Sequence, residues 1–231
     1  SMLLSWNNSK PLPSNLPVLI TGLPVRNIFF ELPDYQRKAE FSFENPCHIL
    51  IIGGSLGAEV FADTIPLAIL ALPDKIRNAV FVSQQVREEQ LSQLKTTYSR
   101  MLIKNCCTTF FTNMPEEMAR ADIIISRAGA ASVAEIAAIG RAAVFIPFPS
   151  SLDDHQIYNA ESLTNKKAAI MLPQKDLEAD PSILTKCLLS LIEDPRECQK
   201  MATKARKLAH RNALNDIVSS IKSYQNFKGV K

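Results

Sequence analysis

Three short stretches of this sequence set small residues beside hydroxyl, amide and charged side chains. The first is Ile52-Gly53-Gly54-Ser55-Leu56-Gly57-Ala58. Glycines let the backbone turn sharply and come close to a ligand, and the free N–H groups and dipole of a following helix favour a phosphate. The stretch matches neither the GxGxxG dinucleotide pattern nor the GxxxxGK(S/T) phosphate loop, and the next apolar run, Ala79 to Ser83, ends without an acidic residue. On its own, a plain strand–helix turn explains it equally well.

The second stretch is Ser126-Arg127-Ala128-Gly129-Ala130-Ala131-Ser132-Val133-Ala134-Glu135. Its small residues leave room for a ligand against a helix N-terminus, and Glu135, one turn in, is placed to accept two ribose hydroxyls. Ser132 and Glu135 also have the spacing of a capping box, a commoner reason for such a pair. The third is Pro147-Phe148-Pro149, followed by Asp153-Asp154-His155-Gln156-Ile157-Tyr158-Asn159. Asp153 or Asp154 reads as an N-cap. His155 and Asn159 share a helix face with Gln156 beside them, a grouping that fits sugar hydroxyls. A ligand carrying a diphosphate, a ribose and a sugar would use all three stretches at once, provided that one sheet brings them together.

The intervening residues supply that sheet. Short apolar runs at His48-Ile52, Ala79-Ser83, Thr108-Phe111, Asp122-Ser126, Ala142-Ile146 and Ala168-Leu172 alternate with helical patterns at about 56–72, 85–98, 114–120, 130–139 and 154–166. Ile49 to Ile52 and Ile123 to Ile125 are apolar at every position, as in strands buried on both faces. The expectation is a Rossmann-like α/β domain: a parallel sheet with helices on both faces and right-handed crossovers. Such sheets bind ligands beyond the strand C-terminal ends, where all three stretches fall. From Pro181 onward the pattern is helical only. Asp194-Pro195-Arg196-Glu197 predicts a helix start, with Asp194 as N-cap, Pro195 at the first position and Glu197 completing a capping box.

The 231 residues are 46% hydrophobic and 21% charged, which suits a chain with a buried core and excludes disorder, collagen and a disulfide scaffold. A net charge of +3 is too small to imply nucleic acid, and the basic run Lys200 to Arg211 reads as a solvated helix face. Five cysteines without CxxC spacing read as reduced thiols of a cytoplasmic protein, with no zinc site. No run approaches the ~18 apolar residues of a membrane helix, and no signal peptide is visible. Ser1 before Met2 reads as a residue left by cloning, which fits an excised piece.

Four motifs occur in one order: Thr21-Gly22-x-Pro24-Val25-Arg26, Gly53-Gly54-Ser55-x-Gly57-Ala58, Arg127-x-Gly129-Ala130-x-Ser132-x-x-Glu135 and Asp154-His155-Gln156-x-x-Asn159-Ala160. In that order they resemble the MurG family, the peptidoglycan N-acetylglucosaminyltransferases that turn lipid I into lipid II. The resemblance runs from about Pro17 to about Tyr224. It implies a GT-B fold of two Rossmann-like domains facing a cleft, of which 17–231 matches the C-terminal, donor-binding one. Residues 1–16 would be a remnant of the interdomain linker, and the N-terminal acceptor half would have no counterpart here.

The resemblance also implies a donor site. Arg26 would lie near the diphosphate, Ser55 with Gly54 and Gly57 would form the second glycine loop, and Phe111 would recognise uracil through its backbone. Gly129, Ala130, Ala131 and Ser132 would line the phosphates, Glu135 would hold the ribose, and His155, Gln156 and Asn159 would face the N-acetylglucosamine. Leu23 departs from the family's usual Asn, and Gln85-Val86 from its small Ser-Gly.

In the implied reaction a muramoyl 4-hydroxyl attacks the anomeric carbon of UDP-N-acetylglucosamine with inversion, and UDP leaves. Helix N-termini at Ser55 and Ala130, with Arg26, would stabilise the departing diphosphate without metal or cofactor, in keeping with the absence of a DxD motif. The general base is expected on the N-terminal half, so no catalytic residue is assigned here and this chain alone is expected to bind donor without turnover. Lipid I would need that half, through which the whole protein would sit peripherally on the cytoplasmic face of the plasma membrane. Two alternatives stand beside this reading. A UDP-N-acetylglucosamine 2-epimerase shares fold and donor but needs acid/base carboxylates, and 153–159 offers only Asp153 and Asp154. A non-catalytic donor-binding subunit of a split glycosyltransferase would carry the same motifs.

Overall fold

A computed structural model describes residues 2–5, 18–36, 40–54, 58–149 and 154–228. A short parallel pair, β1 (Met2–Leu4) and β2 (Val18–Ile20), precedes helix α1 (Ile28–Glu31). Strands and helices then alternate through β3 (Cys47–Ile52), α2 (Glu59–Leu70), α3 (Asp74–Arg77), β4 (Val80–Gln85), α4 (Glu88–Arg100), β5 (Lys104–Thr108), α5 (Met114–Arg120) and β6 (Ile123–Ser126). There follow α6 (Ala130–Ile139), β7 (Ala142–Phe145), α7 (His155–Thr164) and β8 (Ile170–Met171), and the helices α8 (Gln174–Ala179), α9 (Ser182–Glu193), α10 (Pro195–Leu208) and α11 (Ala213–Lys228).

The six strands from β3 to β8 form one parallel sheet in the order β5-β4-β3-β6-β7-β8. Side chains on a strand point alternately to opposite faces. On β3, Cys47, Ile49 and Ile51 therefore join an apolar cluster with α2, α4 and α9, while Leu50 and Ile52 join a second one with α5, α6 and α7. Strand β6 divides likewise, Ile123 and Ile125 to the first cluster and Ile124 to the second. This two-sided burial is the reason that Ile49 to Ile52 and Ile123 to Ile125 are apolar at every position, and each isoleucine so buried contributes roughly 1.5–3 kcal/mol. Helix α10 serves both clusters, with Met201 in one and Ala205 in the other.

Gly22 is fixed by two constraints: its φ is +75°, and a Cβ there would overlap the His210 side chain. The turn it makes after β2 brings the chain against the link between α10 and α11, and Thr21 and Gly22 both donate to the Leu4 carbonyl.

Some expected boundaries move. The run Thr108-Phe111 is not a strand; β5 ends at Thr108, whose Oγ1 closes a local turn with the backbone N and O of Phe110 at 3.3 and 3.0 Å. As an edge strand, β5 is buried only at Cys107, so it carries no apolar run to mark it. Apolar Phe111 leaves the sheet plane and packs in the second cluster, while Phe110 is 69% exposed. At α10 Asp194 caps as expected, accepting from Arg196 and Glu197 N–H at 2.9 and 3.2 Å. Glu197 does not complete the box, because the Asp194 N–H already ends on Ser190 O, and its carboxylate pairs with Lys200 at 3.5 Å. Asp194→Ala is expected to cost about 1 kcal/mol, read as a Tm lower by roughly 2–4 °C in thermal denaturation.

Candidate functional site

Counted from β3, the strand order is 3-2-1-4-5-6, and it reverses between β3 and β6. Beyond their C-terminal ends the two chains leave in opposite directions and a crevice opens. A cleft of about 950 Å³ lies there, walled by Gly53 and Gly54 on one side and Arg127 and Gly129 to Ser132 on the other. That volume suits a small-molecule ligand. Gly54 has φ +82° and a Cβ there would meet nothing within 4 Å, so its backbone demands glycine while the space above stays open. Ser55, Gly57 and Asp153, expected at the site, lie outside the described residues.

The start of α6 is bare. Its N-cap, Gly129, supplies no side chain, and the ladder begins with Val133 N–H donating to Gly129 O at 3.0 Å. The N–H groups of Ala130, Ala131 and Ser132 have no acceptor among the described residues, and all three residues wall the cleft. Such unsatisfied donors at the positive end of a helix dipole attract an anion. Ser132 sits inside the first turn rather than at the cap, and Glu135 lies beyond it, so the capping-box spacing has no capping role. Glu135 is half-buried; burial raises its pKa and the nearby Arg26 opposes the rise. Its carboxylate makes no hydrogen bond among the described residues. Arg26 is exposed, with its guanidinium 5.1 Å over the Phe29 ring.

The third stretch works partly on the backbone. Asp154 is the N-cap of α7 in a left-handed conformation (φ +56°) and makes no side-chain cap bond. Gln156 Oε1 accepts from Ala128 N–H at 3.2 Å and Phe148 N–H at 3.0 Å, tying the exits of β6 and β7 together. Asn159 Nδ2 donates to Ala128 O at 3.0 Å, which commits its amide to the same loop. His155 is exposed at the first position of α7. The cleft wall thus holds Gly54, Gly129, Ala130, Ala131, Ser132 and Gln156, whereas Arg26, Phe111, Glu135, His155 and Asn159 lie off it.

Arg127 was not expected there as a working side chain. It is 8% exposed; its Nη1 donates to Ile146 O at 3.0 Å and Pro147 O at 3.1 Å, and its Nη2 to Gln174 Oε1 at 2.7 Å. The guanidinium lies 4.7 Å from the Phe61 ring centre and 5.3 Å from that of Phe148. Burial lowers its pKa to about 10, which leaves it charged at neutral pH. An arginine directly after a strand that is buried along its whole length is the signal that points to it. Glu59, Asp63, Arg87, Gln174 and Glu178 supply further polar side chains to the wall. The Arg87–Glu59 pair among them, 3.5 Å apart and solvated, contributes little.

Residues 48–218 match the glycosyltransferase family 28 C-terminal domain. The UDP-N-acetylglucosamine--N-acetylmuramyl-(pentapeptide) pyrophosphoryl-undecaprenol N-acetylglucosamine transferase of Tolumonas auensis is 37% identical over 223 residues, 96% of this chain and 60% of that protein. The crystal structure of MurG from Acinetobacter baumannii is similar with a TM-score of 0.75 and 29% identity, covering 92% of this chain and 59% of that one. UDP-GlcNAc 2-epimerase from Neisseria meningitidis, solved with UDP-GlcNAc bound, has 16% identity and a TM-score of 0.55 over 77% of this chain and 44% of its own, a likeness of fold alone. The chain spans about three fifths of the length of the first two relatives.

Proposed function

This chain belongs to glycosyltransferase family 28 through its C-terminal domain, and from that premise we propose that it is the donor-binding part of an N-acetylglucosaminyltransferase of peptidoglycan synthesis. The donor is UDP-N-acetylglucosamine and the acceptor of the whole enzyme is lipid I. The observation that carries this reading is the uncapped N-terminus of α6, whose free N–H groups open into a cleft at the reversal of strand order.

The diphosphate lies against Ala130, Ala131 and Ser132, with Gly54 across from it; Ser55 and Gly57, outside the described residues, are assigned to it by the motif alone. Arg26 and the α6 dipole take up the charge that develops as UDP departs; fixed dipoles do so without reorganising. Glu135 accepts the ribose hydroxyls, the Phe111 backbone reads the uracil, and Gln156 meets the sugar, with His155 and Asn159 beside it. The muramoyl 4-hydroxyl then attacks the anomeric carbon with inversion. The base that takes its proton, and the surface that holds the acceptor at the cytoplasmic face of the membrane, belong to the part of the relatives that this chain does not span. Among the described residues no helix is long and apolar enough to cross a membrane.

Calorimetric titration with UDP, UDP-N-acetylglucosamine and UDP-glucose tests the reading. Saturable binding of UDP is expected at or below about 1 mM, a free energy of about 4 kcal/mol, with the N-acetylglucosamine conjugate preferred over glucose. A folded sample that takes up none of the three at millimolar concentration would show that the cleft is not a donor site.

A further inference from the structure

Arg127 and Gln156 stitch the same two loops from opposite sides. Arg127 holds Ile146 O and Pro147 O, the last carbonyls before Phe148, and Gln156 Oε1 holds the next N–H, that of Phe148. The second bond of Gln156 Oε1 returns to Ala128, the neighbour of Arg127. A third tie runs from Arg127 Nη2 through Gln174 Oε1, and Gln174 Nε2 passes on to Glu178 Oε1 at 2.7 Å, so that α8 is anchored to the same guanidinium.

This network dictates which way the Gln156 amide faces. Two N–H donors can be met only by its oxygen, whose lone pairs are then both used. The Gln156 Nε2 has no hydrogen-bond partner among the described residues, and Gln156 is on the cleft wall. We propose that Arg127 is a positioning residue for the sugar end of the donor site: it holds the β7 exit so that Gln156 presents only its NH₂ group to the ligand. Gln156 then recognises acceptor oxygens of the sugar, and its selectivity depends on a side chain that does not touch the ligand's sugar itself. This rests on the donor-site reading above. Lysine cannot substitute, because a point charge on a flexible stem does not reproduce a planar fork with three acceptors in different directions.

The test uses residues 1–231 and two readouts. In Arg127→Lys, UDP affinity is expected to stay within about twofold while the ratio of UDP-N-acetylglucosamine to UDP affinity falls about tenfold, the effect of one well-placed hydrogen bond. In the side-chain region of a ¹H–¹⁵N spectrum, the Gln156 NH₂ signal of the unaltered chain should move with UDP-N-acetylglucosamine and stay put with UDP; in Arg127→Lys it should no longer respond. Should Arg127→Lys fail to fold, Gln174→Leu, which removes the Nη2 acceptor together with the bond to Glu178 and leaves the two bonds of Nη1 in place, is expected to lower the same ratio by about threefold. An unchanged ratio in a folded variant, or equal weakening of both ligands, overturns the inference. If the unaltered chain binds no UDP, the donor-site reading itself fails, and the inference with it.

Discussion

Residues 1–231 alone are expected to transfer no N-acetylglucosamine to a lipid I analogue, and transfer is expected to appear when the N-terminal part of such a transferase is supplied. Holding an acceptor hydroxyl in line with the anomeric carbon supplies about 7–11 kcal/mol of a typical barrier. A positioned general base adds a factor of roughly 10²–10⁴. Both are assigned above to the part of the relatives that this chain does not span, so the deficit is many orders of magnitude rather than a reduced rate. Apolar side chains stand exposed on two elements of this chain. Val18, Leu19 and Ile20 of β2 are all exposed, as are Leu214, Val218 and Ile221, spaced along one side of α11. A radiolabel transfer assay with and without the N-terminal part reads the outcome. Turnover by the lone chain would place acceptor binding and base within these residues and remove the two-part account.

Glu135→Ala is expected to weaken UDP binding roughly ten- to a hundredfold while leaving the fold as stable as before or more so. The loss corresponds to about 1.5–3 kcal/mol, the usual consequence of removing a charged acceptor from two ligand hydroxyls. The gain follows from the sign of the pKa shift. Burial raises the carboxyl's pKa in the folded chain, so the folded state holds its proton to higher pH than the unfolded state does. Stability then falls as pH climbs from the ordinary carboxylate range through the raised value, and at neutral pH the ionised group is a cost. Glu135→Gln should therefore melt no lower than the unaltered chain at neutral pH, with any advantage fading below the ordinary carboxylate range. Ligand affinity should fall as pH drops through the raised value, where the carboxylate of the folded chain takes up its proton. A variant that melts lower and binds UDP unchanged would return Glu135 to a purely structural part.

How far these features were legible in the sequence depended on whether their causes are local. Strands β3 and β6 announce themselves because both their faces are buried, and the Asp194 cap is written within four residues. Strand β5, exposed along the sheet edge, has no such pattern, and the apolar Phe110-Phe111 pair drew the expected strand past its true end. The pair β1–β2 is three residues long on each side, too short for any period to show. At the site, the spacing of Ser132 and Glu135 is the same whether the helix starts at one or at the other side of Ser132; Gly129 as N-cap decides it. Arg127 finds its acceptors 19 and 20 residues away across the β6–β7 exits, and Gln156 reaches back 28 residues to Ala128. Only the fold brings those partners together, which is why the glutamine was visible as a polar residue in the right place and the arginine was not.

The central claim is that a uridine diphosphate sits on the N-terminus of α6, and backbone amide shifts of the ¹⁵N-labelled chain during titration with UDP test it most directly. The largest movements are predicted at Ala130, Ala131, Ser132 and Gly54, with a smaller one at Phe111. Tyr35, Asp122 and Arg141, which line a separate hollow beside the N-terminal ends of β6 and β7, should not move. Shifts that gather around those three residues while the α6 amides stay still would contradict the account.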